Sequence, residues 1–126
     1  MQVLFGGVSE SKRLKASEGG NFPIILDNSD GFVLTGEIYM GRLAKMDVIY
    51  DTGSDWLIVE GSECTNCEGN TYNIGPSLET QDAVLLSEAP ITHNYGASSF
   101  VGKEYTDTVC ILFSACINNF KFFLIE

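Results

Sequence analysis

Met46-Asp47-Val48-Ile49-Tyr50 runs directly into Asp51-Thr52-Gly53-Ser54, and this nine-residue stretch decides how the chain is read. The first five residues are β-prone, with apolar side chains on both sides of the pleat, which predicts a strand covered on two faces. Asp51 then leaves the strand at a sharp turn, where Gly53 permits backbone angles that a Cβ forbids. The Thr52 and Ser54 hydroxyls are placed to fix the carboxylate or its neighbours. Asp-x-Gly also marks many ordinary turns, so this single tetrapeptide takes its meaning from its surroundings.

Those surroundings are short β-prone runs separated by turn residues. Runs at 32–40, 46–50, 56–59, 83–86, 91–95, 105–113 and 116–125 predict strands, and 13 glycines among 126 residues suit the turns between them. No stretch sustains a helical apolar period, and no apolar run is long enough to span a membrane. The expected fold class is all-β, in one domain able to bury about 65–70% of its unfolded surface.

The order of features from about residue 32 to 126 resembles the N-terminal lobe of pepsin-like (family A1) aspartic peptidases. Residues 34–41 look like the strand that precedes the active-site strand in that family, and residues 51–59 like its catalytic turn and the strand after it. Residues 91–102 resemble its flap hairpin, with Tyr95-Gly96 matching the flap's Tyr-Gly pair. The resemblance implies a partial acid-protease β-barrel lobe with a flap, and an aspartic-type endopeptidase acting on peptide or protein substrates without cofactor or metal. It makes Asp51 the catalytic carboxylate, Thr52, Gly53 and Ser54 its supporting turn, and Tyr95, Gly96 and Ala97 the flap over the substrate. In that mechanism two carboxylates about 3 Å apart share one proton, the ionised one drawing a proton from water and the neutral one polarising the scissile carbonyl.

The sequence departs from the family in several places. Ile58 seats where the family has a tryptophan, and Trp56 comes two residues earlier. Ala97 replaces a residue that is often hydroxylated. After Tyr95, setting aside Phe100-Val101-Gly102 of the flap run, we find no hydrophobic-hydrophobic-Gly segment to cross beneath the catalytic turn, and no second Asp-Thr/Ser-Gly. The expectation is therefore an incomplete lobe, inactive without a C-terminal lobe. Two alternatives stand beside it: a retropepsin-like homodimer, against which the absent glycine-closed strand argues, and a non-catalytic remnant that binds peptides.

Cys64 and Cys67 form a Cys-x-x-Cys, which can be half a zinc site, a redox pair or a structural loop. Zinc would need two more ligands from Cys110, Cys116 or His93, with no second knuckle in sight. The resemblance implies a Cys64–Cys67 disulfide loop, while spacing alone pairs Cys110 with Cys116 across a hairpin. Local disulfides suit a secreted, vacuolar or lysosome-like acidic compartment.

The formal net charge of −10 excludes a nucleic-acid surface and suits a soluble or acid-adapted one. Residues 1–20 carry Lys12, Arg13 and Lys15 against Glu10 and Glu18, a net +1, so the remainder carries −11. We read 1–20 as a flexible leader, a possible propeptide remnant, and 21–126 as the partial lobe. His93 lies two residues before Tyr95 and shares its face, as a solvated hairpin residue. Trp56 and Phe32 are expected in the core or lining the cleft, and Asp55 is too near Asp51 in sequence to face it.

Overall fold

The structure is a computed structural model that describes residues 24–74, 82–112 and 114–126. The leader expected at 1–20 lies outside these residues. The all-β expectation holds. Seven strands form one sheet: β1 (Thr35–Met40), β2 (Ala44–Ile49), β3 (Ile58–Glu60), β4 (Val84–Leu85), β5 (Ile91–Tyr95), β6 (Ser98–Leu112) and β7 (Ala115–Ile125). The main path runs β2-β1-β6-β7-β3, with β4 and β5 pairing on β6. Its two ends do not pair among the described residues, so the expected barrel is here an open sheet.

Alternation explains the β1–β2 hairpin. Ile38 and Met40 on β1 and Met46 and Val48 on β2 point into the core, whereas Glu37, Lys45 and Asp47 face solvent. Lys45 forms an ion pair with Glu37 across the pair. The expectation that β2 is covered on two faces therefore needs correcting. It is the edge of the path, buried on one face, with only Ile49 and Tyr50 half-buried at its end.

The doubly covered strands lie at the other edge. All of β3 is buried, and so is Phe122-Phe123-Leu124-Ile125 at the end of β7. Leu57, Val59, Phe122 and Leu124 join the main core, while Ile58, Phe123 and Ile125 form a second cluster with Trp56, the Cys64 and Cys67 side chains, Ile91, Tyr95 and Phe100. Burial on both faces accounts for the unbroken apolar run, and each buried Phe contributes about 1.5–3 kcal/mol.

β7 places an apolar strand, without a glycine, beside the strand that leaves the turn. It pairs in parallel with β3, Ile58 against Phe123 and Glu60 against Ile125, and the Phe123 N–H donates to the Leu57 carbonyl at 2.9 Å.

Residues 98–112 form one strand, longer than the expected 105–113. It first pairs with β5, then with β7, and the β6–β7 register shifts between Asp107 and Val109. Opposite that bulge Asn119 takes φ 55°, a left-handed conformation that Asn tolerates. Asp107 is fully buried there, accepting from the Tyr72 hydroxyl and, at 2.7 Å, from the Thr108 N–H. Phe32, expected in the core or cleft, is 92% exposed.

Candidate functional site

Asp51 follows β2 by two residues, and its turn is built by its own carboxylate. The Gly53 N–H donates to Asp51 Oδ1 at 2.9 Å, the Asx geometry that short carboxylates adopt at turns. Ser54 is buried. Its hydroxyl sits against the Trp56 backbone, accepting from the N–H at 3.3 Å and donating to the carbonyl at 3.4 Å. Ser54 thus fixes the chain next to Asp51 rather than the carboxylate itself, and Thr52 is exposed.

The second half of the site comes from the β5–β6 hairpin. Tyr95 opposes Ser98, leaving Gly96-Ala97 as a two-residue loop. Gly96 has φ +57° and Ala97 does not share the positive φ, the sign pattern of a type II′ turn with Gly in its first central position. Gly96 and Ala97 are exposed at the tip, and Tyr95 is half-buried beneath it. The Tyr95 hydroxyl donates to Asp51 Oδ2 at 2.7 Å.

Both oxygens of Asp51 therefore accept a hydrogen bond. The Tyr95 phenol, followed by the Gly53 N–H, holds the carboxyl below the usual carboxylate range, against a smaller opposing desolvation. Burial pushes the Tyr95 phenol up and the neighbouring Asp51 charge adds to it, while Ser54 acts the other way. The site is a half-buried carboxylate whose ionised form is favoured, capped by one phenol. Asp55 is exposed.

His93 departs from the solvated hairpin residue that its position suggested. It does share the half-buried face of Ile91 and Tyr95, but that face turns inward. Its ring lies 4.7 Å from the Trp56 ring and 4.5 Å from Phe123. Trp56 is half-buried, as expected, and also carries Lys121 Nζ 4.9 Å from its ring centroid. The period-2 spacing of His93 and Tyr95 was the one signal in sequence that joined them.

Cys64–Cys67 and Cys110–Cys116 both close as disulfides, with Cα separations of 5.6 and 4.0 Å. The Cys64–Cys67 disulfide fits the structural-loop reading of the Cys-x-x-Cys. Cys110 and Cys116 are direct cross-strand partners on β6 and β7. Two concavities lie away from Asp51. One, of about 760 Å³, is lined by Ile24, Ile25, Asp27 and the outer side of β1. The other, of about 440 Å³, lies between the 64–67 loop and residues 99–101. Asp51 and Tyr95 meet at the surface outside both. No family model matches the chain, and no curated protein matches its sequence.

Proposed function

We propose that this chain carries half of an aspartic endopeptidase site of the pepsin-like type, with Asp51 as one of two carboxylates that activate water. The observation that supports it most is the hydrogen bond from Tyr95, at the mouth of a hairpin, to the Asp-Thr-Gly carboxylate 44 residues away in sequence. In this reading the hairpin is the flap. An ordinary Asp-x-Gly turn has no need of a distant phenol on its outer oxygen.

In this reading the electrostatics suit Asp51 to one role within the dyad. Two hydrogen bonds to its oxygens favour the ionised form, which suits the member that takes a proton from water. The partner carboxyl, supplied from outside this chain, would be the neutral member that polarises the carbonyl. In this reading the Tyr95 hairpin stands over the carboxylate, so substrate entry requires its tip to lift and then close over an extended peptide. The finer fold reading, a pepsin-like lobe with a barrel completed by further chain, belongs to the same proposal. An oxidising, acidic compartment fits it through the two disulfides.

A peptidase assay on the protein expressed from its own gene tests the reading. At pH 3–5 on an unfolded protein, cleavage blocked by a pepstatin-type inhibitor and abolished by Asp51→Asn supports it. Cleavage that survives Asp51→Asn overturns it. The same assay separates the homodimer reading, against which the missing glycine-closed strand argues. Activity that rises steeply with protein concentration would move the second carboxylate to another copy of the chain.

A further inference from the structure

β2 ends the main path of the sheet, and its outer side presents an open row of backbone groups. The Tyr50 N–H donates to the Leu34 carbonyl at 2.8 Å. By antiparallel alternation Ala44, Met46 and Val48 therefore also turn their N–H and C=O groups towards β1. Lys45, Asp47 and Ile49 turn theirs the other way, where no described strand pairs with them. Such an edge is a template for another strand. Its side chains are unevenly matched as well. Asp47 lies directly opposite Glu37 on β1, two acids facing each other. Lys45 forms its ion pair with Glu37, and among the described residues Asp47 has no ion-pair partner.

Edge strands often carry a lysine that repels its own image in a second copy. This edge differs, because its two solvent-facing charges are opposite in sign and stand two residues apart. The strand that complements such a pattern is the same strand reversed. Laid antiparallel about Met46, one β2 sets its Lys45 opposite Asp47 of a second copy and its Asp47 opposite Lys45, two pairs related by a two-fold axis. Backbone parity agrees. Both residues point their N–H and C=O groups outward, so each Lys45–Asp47 pair is of the doubly hydrogen-bonded kind. Sliding one copy by two residues either way sets Lys45 against Lys45 or Asp47 against Asp47, so charge selects a single register. The same register brings Leu43, 71% exposed in the loop before β2, opposite the half-buried Ile49. We propose that this chain self-associates through β2, as an antiparallel two-fold pair that continues one sheet across both copies with Lys45–Asp47 contacts at its centre. The pairing does not rest on the peptidase reading. Asp51 lies five residues from the axis in each copy, so the two carboxylates end roughly 30 Å apart and cannot share a proton. A homodimeric active site needs a different contact, and either can fail without the other.

Sedimentation equilibrium of the 126-residue chain tests it at physiological ionic strength, where repulsion between two chains of net charge −10 is screened beyond about 8 Å. A monomer–dimer equilibrium is expected. Lys45→Glu and Asp47→Lys should each weaken it about tenfold or more, because each turns both central pairs into like charges. The two substitutions move the net charge in opposite directions, so a shared weakening reports the pairs and not overall repulsion. Mixed in equal amounts, the two variants should recover a dimer containing one of each, since every central pair is then opposite in sign. A merely misfolded variant is not rescued by another. In the wild type, hydrogen exchange at the Lys45, Asp47 and Ile49 amides should slow as concentration rises, while Met46 and Val48, already turned to β1, respond less. A chain that stays monomeric at every concentration overturns the proposal, as does a dimer that both variants leave intact or that the mixture fails to restore. Edge amides protected equally at all concentrations also overturn it, since another part of the chain then occupies β2.

Discussion

Tyr95 and Asp51 meet through a 2.7 Å hydrogen bond that joins a hairpin tip to a strand-end turn 44 residues earlier. A surface carboxylate on its own would titrate in the ordinary range. This one is held below it, first by the phenol and then by the Gly53 N–H. Because the folded pKa is depressed, the stabilising contribution is present above the unfolded value and is lost as pH falls through the folded one. Tyr95→Phe removes the larger cause, so the Asp51 titration should move up towards the ordinary carboxylate value. Carboxyl ¹³C NMR of the side chain reads this directly; an unmoved midpoint would show that the phenol does not bind the carboxylate in solution.

The isolated 126-residue chain should lack peptidase activity at pH 3–5, because one carboxylate cannot hold a shared proton. Turnover of an unfolded substrate at several chain concentrations is the measurement. Flat baselines are expected for wild type and Asp51→Asn alike.

Tyr72→Phe should destabilise the fold by about 1–3 kcal/mol, since it strips the phenol from a carboxylate with no access to water. Asp107 would retain the Thr108 N–H but lose its bond to the loop around residue 72. Denaturant unfolding should show a lowered midpoint with an unchanged m-value.

Two glycines on the same hairpin should respond differently to alanine. At Gly102 an added Cβ would fall 1.9 Å from the Leu124 carbonyl oxygen, where β6 passes β7, and backbone on both sides must move. At Gly96 there is open space but φ is +57°, a left-handed strain of about 1–2 kcal/mol. Gly102→Ala should therefore lower the melting temperature more than Gly96→Ala, and thermal unfolding of the two variants side by side decides it.

Much of the fold was legible one segment at a time. Strand positions followed from β-prone runs bounded by turn residues, as at 32–40 and 46–50, and the hairpin at 91–102 from its resemblance to a flap. The Cys110–Cys116 pair followed from its short spacing, because a hairpin brings such residues opposite one another. These features depend on contacts within a few residues, so the local sequence suffices to specify them.

What the sequence left open depended on partners far along the chain. Phe122–Ile125 was recognisable as a strand, yet its parallel seat beside β3 requires joining residues more than sixty positions apart. No local period encodes that choice. The two covered faces were assigned to β2 rather than to β3 and β7 for the same reason: an apolar run reports burial, not which neighbour provides it. Phe32 is apolar but lies where no other element covers it, whereas His93 is polar but is enclosed by Trp56 and Phe123. The strands and the Asp51 turn could be read from the residues themselves, and the hairpin that carries Tyr95 from its resemblance to a flap. Only the tertiary structure brought Tyr95 onto Asp51 and Glu104 towards His93, because those encounters arise from strand order and sheet packing, which local propensity does not contain.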